Sequence, residues 1–133
     1  MTSAIFPKAK EQLLQAGINM SSGDIRAMLV LSSYTYDSTD EFLADLGAVD
    51  NGRSAALAGK AFTNGIFDAN DTSITATAST ASNALILFLH TGSDATARLI
   101  AYIDSAVGLP FTPEASQVCP VVWDNGANKI FAL

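Results

Sequence analysis

A chain of 133 residues with 49% hydrophobic and only 15% charged residues has the composition of one folded domain with a sizeable core, and it excludes intrinsic disorder. The formal charge of −6 comes from 13 acidic against 7 basic residues, and Lys8, Lys10, Arg26, Arg53, Lys60, Arg98 and Lys129 are scattered singly. That spread does not suit a phosphate backbone, so nucleic acid is set aside as a partner. Membrane is set aside too: no apolar run reaches the roughly 18–20 residues of a span, and the start lacks a signal-peptide pattern. The single cysteine, Cys119, excludes an internal disulfide and suits a reducing compartment.

In chain order, residues 1–7 read as a short N-terminal arm, with Met1–Ala4 unanchored. Pro7 is pre-set for a first helical turn, and Lys8–Gln15 follows as a brief helix stopped at Gly17, with Leu13 and Leu14 as its buried contacts. After a turn at Ser21-Ser22-Gly23, Ile25–Leu31 is a strand with Ile25, Ala27, Leu29 and Leu31 on one face. Ser38 and Glu41 have capping-box spacing, which predicts a second short helix over Thr39–Leu46 ended by Gly47. Asp50-Asn51-Gly52 reads as a turn, and Arg53–Thr63 as a weak, Ala-rich strand broken at Gly59.

Asn64-Gly65 fits a hairpin turn with positive φ at both positions, with Ile66-Phe67 as the return. Ser73–Ser82 reads as a polar-faced strand near a sheet edge. The stretch Ala84–Asp104 then holds two apolar runs around Thr91–Thr96, the pattern of a β-hairpin with a long loop. Its first run is apolar on both faces, so it is expected to be a central strand covered from both sides. Gly108–Pro113 is a stiff connection, since two prolines fix φ and forbid helix. Val118–Trp123 is a strand whose Pro120 marks an edge, Asp124-Asn125-Gly126 turns it, and Lys129–Leu133 closes as a terminal strand. These elements predict a single mainly-β domain over 1–133, an antiparallel β-sandwich (jelly-roll-like) with one or two short helices.

No reactive constellation emerges. His90, the only histidine, ends a strand with no marked nucleophile. Cys119 lacks a neighbouring basic residue to lower its pKa and reads as a small buried apolar group. Asp68, Asn70 and Asp71 are oxygen ligands of the kind calcium takes, without the glycine and distal glutamate of an EF-hand loop. Turn capping accounts for them without a metal. Asp37, Asp40, Glu41 and Asp45 are explained by a solvated first helical turn rather than a glycosidase pair. Gly59-Lys60-Ala61 lacks the Ser/Thr and the earlier glycine of a phosphate loop. No catalytic residue, cofactor or metal is assigned, and an enzyme is not expected. Tyr34, Tyr36 and Phe111, with Phe6 of the arm, are candidate interface anchors. Trp123 is read as core, with its N–H bonded near Asp124.

Several segments together resemble small proteins encoded among the virion structural genes of tailed bacteriophages. They are FPKAKEQLL at 6–14, DIRAMLV at 24–30, YTYDSTDEFLADL at 34–46, AGKAFTNGIFDAND at 58–71, LIAYIDSAVGLPFTP at 99–113 and VVWDNGANKIFAL at 121–133. The most specific piece is WDNGANKIF. The resemblance implies a structural component rather than an enzyme, and a capsid decoration or cement role, which would make the major capsid protein the partner and a homotrimer the expected oligomer. It places the chain on the virion capsid surface after assembly in the host cytoplasm. A tail or neck component is the alternative, as is a virion-displayed binding module for a host-surface glycan.

Overall fold

The computed structural model describes residues 4–104, 106, 109, 111–123, 126 and 129–133. Strands β1 (Ala4–Ile5), β2 (Ile25–Leu31), β3 (Asp50–Arg53), β4 (Ile66–Phe67), β5 (Thr72–Thr75), β6 (Ser82–Leu89), β7 (Leu99–Ile103), β8 (Val118–Val121) and β9 (Phe131–Ala132) accompany one α-helix, α1 (Pro7–Leu14). A five-stranded antiparallel sheet runs β1-β7-β6-β2-β3, and two two-stranded ribbons pair β4 with β9 and β5 with β8. The mainly-β, antiparallel architecture expected from the alternating apolar runs is therefore present. The layers beside the large sheet are ribbons and extended segments, an arrangement compatible with a sandwich.

The expected hairpin is the middle of the large sheet. β6 lies between β7 and β2, and Ala84 to Phe88 are all buried. Register divides its side chains between the two faces. Ile86 lies opposite Met28 on one side and Tyr102 on the other, whereas Leu87 lies opposite Ala27 and Ala101. The Leu85 face packs on Ile74 and Val121 of the β5–β8 ribbon. The Tyr102 face carries the rings of Tyr34 and Tyr36. Both faces are covered, so the strand is apolar on both, as its sequence reads.

One irregularity matters later. The β2–β6 register passes from Val30↔Ala84 directly to Leu31↔Ser82. Asn83 is therefore an extra residue in β6, and a bulge of this kind re-aims the bulged side chain.

Several expectations are corrected. From Ala4 onward the arm is part of the fold: Ala4 and Ile5 pair with Tyr102 and Ala101, and the Phe6 N–H donates to the Ile100 carbonyl at 3.0 Å. In α1 the buried contact is Ala9, while Leu14 is 90% exposed. The second helix shrinks to a single 3-10 turn at Leu43–Leu46. The Asp45 carboxylate, not that of Glu41, reaches back to the N–H groups of Glu41 and Phe42 at 3.0 and 2.9 Å. Asp50-Asn51-Gly52 is strand β3 rather than a turn, and the Ala-rich segment after Arg53 forms only an isolated bridge, Ala61↔Asp68. Asn64 and Gly65 do have positive φ, 54° and 76°, but Ile66 and Phe67 pair with β9. The strands expected at Ser73–Ser82 and Val118–Trp123 are the shorter β5 and β8, paired with each other. The Gly108 and Pro110 part of the stiff connection, and Asp124 and Asn125 of the late turn, lie outside the described residues.

Candidate functional site

After β2 the chain turns, and the Tyr34 N–H donates to the Leu31 carbonyl at 3.0 Å. The Tyr34 hydroxyl then holds the following loop: it donates to Asp40 Oδ2 at 2.9 Å and accepts the Asp37 N–H at 3.2 Å. Asp37 in turn accepts from the N–H and hydroxyl of Thr39 at 2.9 and 2.7 Å. These bonds fix a polar loop that has little helix of its own, and they press its tyrosines onto the sheet.

There the rings converge. Tyr36 lies 5.6 Å from Tyr102 and 5.1 Å from Phe6, and Tyr34 lies 6.1 Å from Tyr102, all tilted. Such offset pairs add stability beyond their buried area. The three tyrosines line a groove of about 420 Å³. Ser32, Thr35, Asn83 and Asp104 complete it. The Asn83 Oδ1 is buried with no hydrogen-bond partner, the only such side-chain atom among the described residues. Burial pushes the phenols of Tyr34, Tyr36 and Tyr102 above their ordinary range, and it raises the Asp40 carboxyl as well.

Of the four candidate anchors, the structure brings three together. Phe6 is fully buried and Tyr34 nearly so, while Tyr36 is half-buried. Phe6 is thus a core residue rather than an exposed contact. Phe111 lies elsewhere, exchanging backbone hydrogen bonds with Ser82 at 2.8 and 2.9 Å and packing toward Leu29 and Leu85. Tyr102, Asn83 and Asp104 were not singled out by sequence. Tyr102 reads as an ordinary strand residue, and the one available signal for Asn83 is a polar residue opening an apolar run.

The remaining candidates have structural partners. Asp68 Oδ1 accepts the Ala69 N–H at 2.9 Å, and Asp71 Oδ1 accepts the Trp123 N–H at 3.1 Å. Trp123 is buried as expected, but its indole N–H donates to the Asn70 carbonyl at 3.1 Å rather than near Asp124. Lys60 Nζ donates to the carbonyls of Met20 and Gly23 at 2.7 and 2.9 Å. His90 follows β6, its backbone N–H on the Asp24 carbonyl at 2.8 Å and its ring edge-on to Phe88. Cys119 is buried. Among the described residues no helix is long and apolar enough to cross a membrane. No family model, no curated protein and no solved structure matches this chain.

Proposed function

We propose that this chain is a structural component of a tailed-phage virion, a cement protein that bridges major capsid subunits as a homotrimer on the head surface. The reading rests on the segment resemblance, and one structural observation carries it furthest. The fold engages Arg26, Arg53 and Arg98 in ion pairs within the chain and leaves several apolar side chains outside. Arg26 pairs with Asp24 at 2.9 Å, Arg98 with Glu41 at 2.6 Å, and Arg53 with Asp50 and Asp94 at 2.7 and 2.9 Å. Leu133 is 71% and Phe62 45% exposed, and both belong to the region of the β4–β9 ribbon, where the Leu133 N–H donates to the Gly65 carbonyl. Val118, on β8, is 63% exposed. A surface of this kind favours association through neutral, apolar contact.

Each weak contact of a trimer is repeated at a local three-fold position, and its binding free energy adds to the resistance of the shell to rupture. The test compares heat-induced DNA release from heads with and without the protein. Cement predicts a higher rupture temperature for decorated heads. Equal temperatures, or absence of the protein from tailless heads, would assign it to the tail or neck.

A further inference from the structure

We infer that the tyrosine groove beside Asn83 is a binding site for a neutral saccharide. Its size is the first reason: about 420 Å³ falls within the roughly 300–1,000 Å³ of small-molecule sites. The second is the unpartnered Asn83 Oδ1. A buried acceptor left without a donor is costly, and Asn83 lines the groove, so a turn of its amide toward the groove would bring that oxygen to a donor there. The bulge that makes Asn83 an extra residue in β6 is what sets this amide apart from the ladder of paired strands. The terminal torsion of asparagine is soft, so the amide can turn its oxygen or its NH2 group to an incoming group.

The chemistry of the lining selects the ligand class. Asn83 and the Asp104 carboxylate supply acceptors on the same groove, Ser32 and Thr35 supply hydroxyls, and half-buried Tyr36 supplies an apolar ring surface. Among the described lining residues there is no Lys or Arg, so an anion finds no counter-charge. Acceptors and hydroxyls on one groove with an aromatic surface match the hydroxyls and the apolar C–H face of a pyranose. Tyr34 and Tyr102 are too deeply buried to offer the open ring faces of a cage for an ammonium ion, which needs aromatic faces turned toward it.

The experiment titrates isotope-labelled full-length chain with cellobiose, maltotriose and N,N′-diacetylchitobiose, following backbone amide shifts. At least one sugar should give saturable shifts centred on residues 32–36, 83 and 102–104. Asn83→Ala, which removes the unpartnered group and should fold normally, should weaken that affinity by about tenfold or more. Tyr36→Leu, measured at a temperature where the variant remains folded, should weaken it as well. No saturable shift for any of the three sugars up to about 20 mM, well above a millimolar dissociation constant, overturns the inference. So does equal affinity in the Asn83→Ala variant, or a response to tetramethylammonium in place of the sugars.

Discussion

Asn51 Nδ2 donates to Ser82 Oγ at 3.0 Å, and both side chains are fully buried. The other end of the same amide accepts the N–H groups of Thr77 and Ala78 at 3.1 and 2.8 Å. One side chain thus joins β3, the chain after β5 and the start of β6. Replacing it with Leu removes the partner of these part-buried donors and of buried Ser82, at up to about 1–3 kcal/mol for each group left unpaired. Urea denaturation of Asn51→Leu should show a loss of about 2–4 kcal/mol. A loss below about 1 kcal/mol would mean that these bonds are readily replaced by water.

Leu87 sits in the middle of the central strand with no exposed surface. Leu87→Ala removes contacts on a face where Ala27 and Ala101 are its neighbours across the sheet, so little can collapse into the space. The expected cost is about 2–5 kcal/mol, again by urea denaturation. A near-neutral result would contradict the covered position of β6.

All three tyrosines of the chain titrate above the ordinary phenol value because burial disfavours their anions. Near-ultraviolet absorbance should therefore show the phenolate transition of the native protein displaced above the one seen in urea, which lies near about pH 10. A folded pKa raised above the unfolded one gives stability that is complete below about pH 10 and declines as pH rises beyond it. A native phenolate step at the ordinary position would disprove the packing of the loop on Tyr102.

Acid acts with the opposite sign on the paired carboxylates. Hydrogen bonds from the Arg53 guanidinium hold the Asp94 carboxyl low, and those from Arg26 do the same for Asp24. Their contribution is present above the ordinary carboxylate range, about pH 4, and is lost as pH falls through the depressed values. Asp40, raised by burial, contributes most below that range and less as pH rises through it. The Asp94→Asn variant should show a shallower fall in melting temperature below about pH 4 than the wild type. Since Asp94 is half-exposed, salt screens the pair and the effect should shrink in concentrated salt.

For the cement role, a mainly apolar contact predicts that moderate salt leaves the protein on the head. An electrostatic contact weakens as the Debye length contracts, from about 10 Å at 0.1 M to about 3 Å at 1 M. Sedimentation of decorated heads across that range is the measurement. Release by salt alone would point to ion pairs, and the outward apolar residues would then not be the contact.

The parts of the fold legible in sequence are those whose signal is local. β2 occupies the residues its alternation marks, the β6–β7 hairpin follows from two apolar runs around a polar loop, and Asn64-Gly65 adopts the positive φ that this dipeptide favours. The structure departs from the sequence pattern where a long-range partner overrides local chemistry. Asn51-Gly52 has the composition of a turn, yet bonds to residues 77, 78 and 82 hold it in a strand. Glu41 has capping-box spacing, yet Arg98 takes its carboxylate and Asp45 does the capping. The groove was half visible. Tyr34 and Tyr36 stand out as aromatics in a polar stretch, but their meeting with Tyr102 and Asn83 depends on strand order and on a one-residue bulge, neither of which periodicity reports.

The strand pairings also set a timetable for the nascent chain. Ala4 waits for Tyr102, Phe67 for Phe131, and Thr72 for Val121, so these pairings close only after long intervening stretches of chain have been synthesised. The local β6–β7 hairpin is the natural nucleus, and the distant closures each carry the entropy of a long loop. Such topologies fold in milliseconds to seconds rather than microseconds. During that interval the apolar β2 and β6 segments are open to other copies of themselves, so crowded synthesis of this chain should favour aggregation over folding unless a chaperone holds it.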